Sequence, residues 1–208
     1  MVKKMWLVVF SLLVFLACSK QNKQPTSSGT NALEDSLEIP TRMIDQASLQ
    51  YHPNGALWTL NDQPYSGYAV SYYENKTLKE KFGILNGKKQ NEAISYFPDG
   101  HYQYFSTYHQ GKLHGEKKAW STNAPHMLIS HLNYHQGKAH GKQRKWYATG
   151  EIFKIVNLEM GREAGIQQAF RKNGVLFANY EARNGRIFGL KKAALCFGLD
   201  DEKIQYEN

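Results

Sequence analysis

Apolar and polar positions divide the chain into three regimes. Met5 to Ala17 form a nearly unbroken apolar run behind Lys3 and Lys4. Residues 19–32 are polar, low in complexity and free of aromatics. From about Tyr51 onward apolar and polar residues alternate in short runs separated by Gly, Asn, Asp and Pro, the pattern of half-buried strands joined by tight turns. The alternation is itself periodic. A glycine recurs as Gly67, Gly115, Gly141, Gly165 and Gly189, with Asn91 in the one vacancy, at intervals of 24, 24, 26, 24 and 24 residues. Five residues after each stands Tyr72, Tyr96, Trp120, Trp146, Phe170 and finally Ala194. The residue before that aromatic is small in most copies: Ser71, Ser95, Ala119, Ala169 and Ala193, with Lys145 the exception.

Turn residues follow on schedule at 74–75, 99–100, 123–125, 149–150 and 173–174, and then an apolar column of Leu78, Tyr102, Leu128, Ile152 and Leu176. Repeats of this length signal stacked supersecondary units that bury a continuous strip together and little alone. Each unit reads as strand, tight turn, strand, then a glycine-containing turn into the next. Asp-Gly and Asn-Gly are expected to supply the positive φ of two-residue hairpin turns. The fold class expected is all-β: tandem hairpins of about 24 residues in an elongated antiparallel meander. Period-2 alternation puts the aromatic column on one face and the Ala/Ser column on the other. The two extra residues between Gly115 and Gly141 fall at 121–126 and lengthen one hairpin tip.

The unit, with its Gly-Lys-x-x-Gly core, its aromatic and its Asp-Gly or Asn-Gly turn, resembles the MORN repeat variant of bacterial YwqK-type antitoxins over residues 51–198. That resemblance implies a protein-interaction module and, through the antitoxin label, a toxin as partner. It leaves the function open, because one fold hosts many.

The N-terminal run is too short for a helix spanning the bilayer, which takes about 20 residues, and it fits a signal peptide over residues 1–17. The sequence Phe15-Leu16-Ala17-Cys18 resembles a bacterial lipobox, with Phe15 where an aliphatic residue is commoner. The resemblance implies cleavage before Cys18 and acylation of its thiol, hence anchorage in membrane lipid. Ser19 follows the cysteine, which by the lipoprotein sorting rule implies the outer membrane; the periplasmic side is expected, with surface exposure the alternative. The domain plan is then signal peptide 1–17, lipidated cysteine and flexible tether 18–48, repeat domain 49–198 and C-terminal tail 199–208. Within the tether, 33–48 carry apolar residues suited to a short helix or a capping strand. Asp200-Asp201-Glu202 is expected to blunt the last sheet edge.

Charge and chemistry alter this picture little. The formal charge is +8; losing Lys3 and Lys4 takes the bases from 26 to 24 against 18 acids, leaving +6. Two cysteines, Cys18 and Cys196, cannot frame a disulfide scaffold, and Cys196 reads as a buried small hydrophobe. The chain carries no Gly-x-Ser-x-Gly, phosphate-binding Gly-rich loop or His-Glu-x-x-His, so neither catalysis nor a cofactor is expected. His109 and His135 are equivalent in the repeat, as are His114 and His140. Without a cysteine or acidic cluster to complete a site, the histidines read as turn residues and no metal is expected. The candidate partner-binding set is Lys112, Lys117, Lys118, Trp120, Lys138, Lys142, Arg144, Lys145, Trp146 and Tyr147, opposed only by Glu116. Export argues against nucleic acid; a protein partner is expected, and a passive structural role in contact with anionic lipid or glycan is the alternative.

Overall fold

The computed structural model describes residues 38–190 together with the pairs 199–200 and 203–204. The signal segment, Cys18, the polar tether and Cys196 lie outside the described residues. Among the described residues no helix is long and apolar enough to cross a membrane. The strands are β1 (Met43–Asp45), β2 (Gln50–His52), β3 (Leu57–Leu60), β4 (Gln63–Pro64), β5 (Gly67–Tyr72), β6 (Leu78–Leu85), β7 (Lys88–Tyr96), β8 (Tyr102–His109), β9 (Lys112–Trp120) and β10 (Leu128–His135). They continue as β11 (Lys138–Ala139), β12 (Gly141–Trp146), β13 (Ile152–Glu159), β14 (Arg162–Glu163), β15 (Gly165–Phe170), β16 (Leu176–Arg183), β17 (Arg186–Leu190), β18 (Leu199–Asp200) and β19 (Lys203–Ile204).

The fold is nearly all β. From β5 to β17 the hairpins follow one another in a single antiparallel meander. Two kinds of turn alternate along it, and they exchange the roles expected from the sequence. The two-residue turns are Asn86-Gly87, Gln110-Gly111, Gln136-Gly137, Met160-Gly161 and Asn184-Gly185, with both φ values positive in each, as a type I′ hairpin requires. Asp99-Gly100 and Asn173-Gly174 lie instead at the other tips, in three-residue loops. Gly100 alone is left-handed there (φ 87°), its N–H donates to Phe97 O, and the Phe97 N–H donates to His101 O. The same bonds recur at Tyr147 and Arg171. A β-bulge follows each of these loops, so Tyr72, Tyr96, Trp120, Trp146 and Phe170 sit opposite Leu78, Tyr102, Leu128, Ile152 and Leu176.

Backbone hydrogen bonds tie successive units. In four of these type I′ turns the glycine N–H donates to a carbonyl one unit back: Gly87 to Tyr65, Gly111 to Lys89, Gly137 to Leu113 and Gly161 to Ala139, at 2.7–2.8 Å. At the opposite tips the Tyr73 hydroxyl donates to Tyr96 O (2.7 Å) and the Tyr147 hydroxyl to Phe170 O (3.0 Å).

The second glycine of each Gly-Lys/Arg-x-x-Gly also has positive φ, because the strand bulges there: Gly115 is at 92°, Gly141 at 79° and Gly165 at 76°, and Asn91 at 58° fills the same place. Two buried glutamines fill two of these bulges. The Asn133 N–H donates to Gln143 Oε1 (3.0 Å), while Gln143 Nε2 donates to the carbonyls of Asn133, His140 and Gly141. Gln167 repeats the arrangement with Asn157, Ala164 and Gly165. A buried amide is tolerated where each of its polar atoms finds a partner.

The first unit departs from the expected array. The hairpin after Tyr51 does not extend the large sheet; β2, β3 and β4 form a separate three-stranded sheet. It packs on the meander as a cap, with Trp58 and Phe82 ring centroids 5.1 Å apart. The main apolar cluster forms there from Leu49, Tyr65, Ala69, Phe82, Ile84 and Ala93. The edge beside β5 is taken by β1, which pairs with it in parallel. The stretch assigned to a flexible tether therefore ends in ordered chain: β1 lies within 18–48, and Ile39 is 5% exposed. In the stretch assigned to a tail, β18 and β19 pair with each other.

Candidate binding face

Register assigns the sheet's two faces. Ala69, Phe82, Ala93, Ser106, Lys117 and Leu132 are successive cross-strand partners on the face that holds the apolar cluster. Val70, Lys81, Ile94, Phe105, Lys118, His131, Arg144 and Ile155 form the corresponding row on the opposite face. Alternation places the aromatic column and its apolar partners on this second face, and the Ala/Ser column on the first. Tyr72 is 57% and Tyr102 49% exposed, and the Tyr102 ring lies 5.4 Å from both Tyr96 and Trp120. An aromatic row of this kind supplies broad, rigid contact area.

The ten residues singled out from the sequence are divided by this geometry. Lys118, Trp120, Lys142, Arg144 and Trp146 share the aromatic face. Lys117 and Lys145 point to the other, each paired across the strands with Leu132 and Lys154 respectively. Lys112 and Lys138 follow type I′ turns at the far end of the hairpins. Tyr147 is engaged in the inter-unit bond to Phe170. What the structure brings together is a narrower patch of two Trp, one Arg and two Lys.

Sequence reasoning missed the residues that complete this patch. Glu116 accepts from Lys118 Nζ (2.6 Å) and is paired with His131 Nε2 (2.9 Å). The Lys118 hydrogen bond, with help from His131, holds the Glu116 carboxyl below its ordinary range despite partial desolvation. Lys118 also sits 5.5 Å from the centre of the Phe105 ring, and Lys81 4.9 Å from Tyr68. Among the described residues Lys142 and Arg144 form no ion pair, so their charge is open to a ligand. On the same face, a cleft of about 470 Å³ is lined by Tyr68, Lys81, Asn91, Glu92, Ile94 and Tyr96. Period-2 pairing of Lys118 with His131 across β9 and β10 was the available signal, but it needs the register.

The histidines separate into two groups. Rings of His109, His114, His135 and His140 follow one another at 5.8, 4.9 and 5.8 Å. Three of the four Nδ1 atoms are used internally: those of His114 and His140 accept the backbone N–H of Gln136 and Met160, and His109 Nδ1 meets Gln90 Nε2. These rings brace the type I′ turns. His101 and His126 lie at the other tips beside Asp99. There His126 Nδ1 donates to Ser121 O (2.8 Å) and Nε2 to Asp99 Oδ2 (2.7 Å). Both partners accept only, which favours the protonated ring, and its pKa is raised by the Ser121 carbonyl first and then by Asp99, against some desolvation. Asp99 is held down to about 2, first by the His126 hydrogen bond and then by the His101 N–H.

No protein-family model matches this chain, and no curated protein matches it.

Proposed function

We propose that the chain is an envelope lipoprotein, anchored through acylated Cys18, whose hairpin array binds a protein partner through its aromatic and basic face. One observation carries the reading. Trp120, Trp146, Lys118, Lys142 and Arg144 share a face with exposed Tyr102, and Trp, Tyr and Arg are the side chains that most often anchor interfaces. The partner is acidic at its contact surface, since Lys142 and Arg144 have no counter-charge among the described residues. The resemblance to the antitoxin-type repeat makes a toxin one such partner. The absence of a recognisable catalytic motif supports binding over catalysis.

Photocrosslinking from position 102 in intact cells tests this. A discrete adduct is expected, lost in K142E/R144E and retained when the charge change is placed at Lys117 on the opposite face. Adducts insensitive to both changes would refute the assignment. Cys18→Ser is expected to release the protein from the membrane fraction. The second reading, contact with anionic lipid, draws on the same open cations and predicts liposome binding that weakens with salt, because exposed charges are screened.

A further inference from the structure

We propose that Asp99, His101 and His126 form a binding site for a divalent transition-metal ion, with zinc the reference ion. The three side chains offer one carboxylate oxygen and two imidazole nitrogens, all within 4.8 Å of one another. That donor set is hard enough for the carboxylate and borderline for the imidazoles, the combination that zinc takes and that calcium and magnesium do not favour.

Three further observations make the cluster a built site. The first is that His126 is oriented from behind. Its Nδ1–H donates to the Ser121 carbonyl at 2.8 Å, which fixes the tautomer and aims Nε2 at Asp99, as outer-shell carbonyls do for metal-bound imidazoles. Next, the His126 ring is held rigidly: it stacks on Phe97 at 4.5 Å, and its side chain is only 8% exposed. The third is that Asp99 and His101 present their groups from one tight loop, where the His101 N–H donates to Asp99 Oδ1 at 3.1 Å. His101 and Asp99 are 67% and 51% exposed, so the ion has a path in and room for water in its open positions.

The site exists because one repeat is longer. The 26-residue interval inserts two residues between β9 and β10, and the lengthened loop carries His126 back over the tip of the preceding unit. In the metal-free chain the His126 Nε2–H···Oδ2 bond spans the position at 2.7 Å. Zinc replaces that proton, which leaves to solvent, and takes the nitrogen lone pair and the Asp99 carboxylate.

The test is zinc titration by calorimetry on the full chain, purified without a histidine tag. One tight zinc per chain is expected. H101A, D99N and H126Q should each weaken it by more than about tenfold, the size of loss that even an outer-shell change brings. An H114A/H135A chain, altered only in the imidazole row, should bind as wild type does. Wild-type affinity in H101A or D99N, loss of the site in H114A/H135A, or no tight zinc at all would each overturn the proposal. His101 is exposed, so H101A reports on the site even where H126Q disturbs the loop.

Discussion

Gln167 and Asn157 close a reciprocal pair across adjacent strands: the Asn157 N–H donates to Gln167 Oε1, and Gln167 Nε2 donates to the Asn157 carbonyl. The glutamine is 1% exposed, and its remaining proton serves the Ala164 and Gly165 carbonyls. One side chain thereby replaces the ladder bonds that the Gly165 bulge interrupts. Gln167→Leu would leave these backbone groups buried and unpaired, at a cost of about 1–3 kcal/mol each where no water reaches them. Urea unfolding should show the loss, while Gln168→Leu on the opposite face stays within about 0.5 kcal/mol of wild type.

Phe82 is fully buried between the cap and the meander. Phe82→Ala should cost about 3–5 kcal/mol, as large-to-small changes in a packed core do. Loss of near-ultraviolet circular dichroism from Trp58 at a lower denaturant midpoint is the expected readout. An unchanged midpoint would mean that the cap contributes little to stability.

Gly115 and Gly165 occupy equivalent bulges, but their surroundings differ. A Cβ at Gly115 would lie 2.5 Å from Thr107 Oγ1, the hydroxyl that accepts the Glu116 N–H; at Gly165 nothing lies within 4 Å. Both alanine variants bear the strain of left-handed backbone, about 1–2 kcal/mol. Gly115→Ala should be the more destabilised of the two by thermal melting, because the hydroxyl that stitches that bulge must move.

Tyr180 is buried and donates to Glu163 Oε1, and burial first, then Glu163, pushes its pKa up to about 12. The folded value exceeds the unfolded one near 10, so the neutral hydroxyl stabilises the fold fully below pH 10. Stability should fall as pH rises from about 10 to 12, since the unfolded chain releases the proton first. Tyr180→Phe should flatten that alkaline limb; an identical limb in the variant would assign the effect to other tyrosines.

The 24-residue interval, the glycine columns and the aromatic column were legible because each follows from a local rule that every copy repeats. Period-2 alternation likewise separated Trp120 from Ala119. Turn type was misread at one end of the unit because Asp99-Gly100 and Gln110-Gly111 are both plausible hairpin tips. Loop length decided between them: three residues leave only Gly100 left-handed. The cap formed by β2–β4 was not readable, since its sequence echoes a repeat and its placement depends on Trp58 meeting Phe82.

By itself the sequence determined the class of fold, the unit length, the alternation of faces and the one lengthened tip. Those features depend on neighbours in the chain, on backbone freedom at glycine and on side-chain period. Only the tertiary structure decided which basic residues share a face, because Lys117 and Lys118 differ by one step in a strand and so point in opposite directions. It also decided that His126 meets Asp99, 27 residues earlier, because that contact needs the register of two hairpins and the reach of an inserted loop.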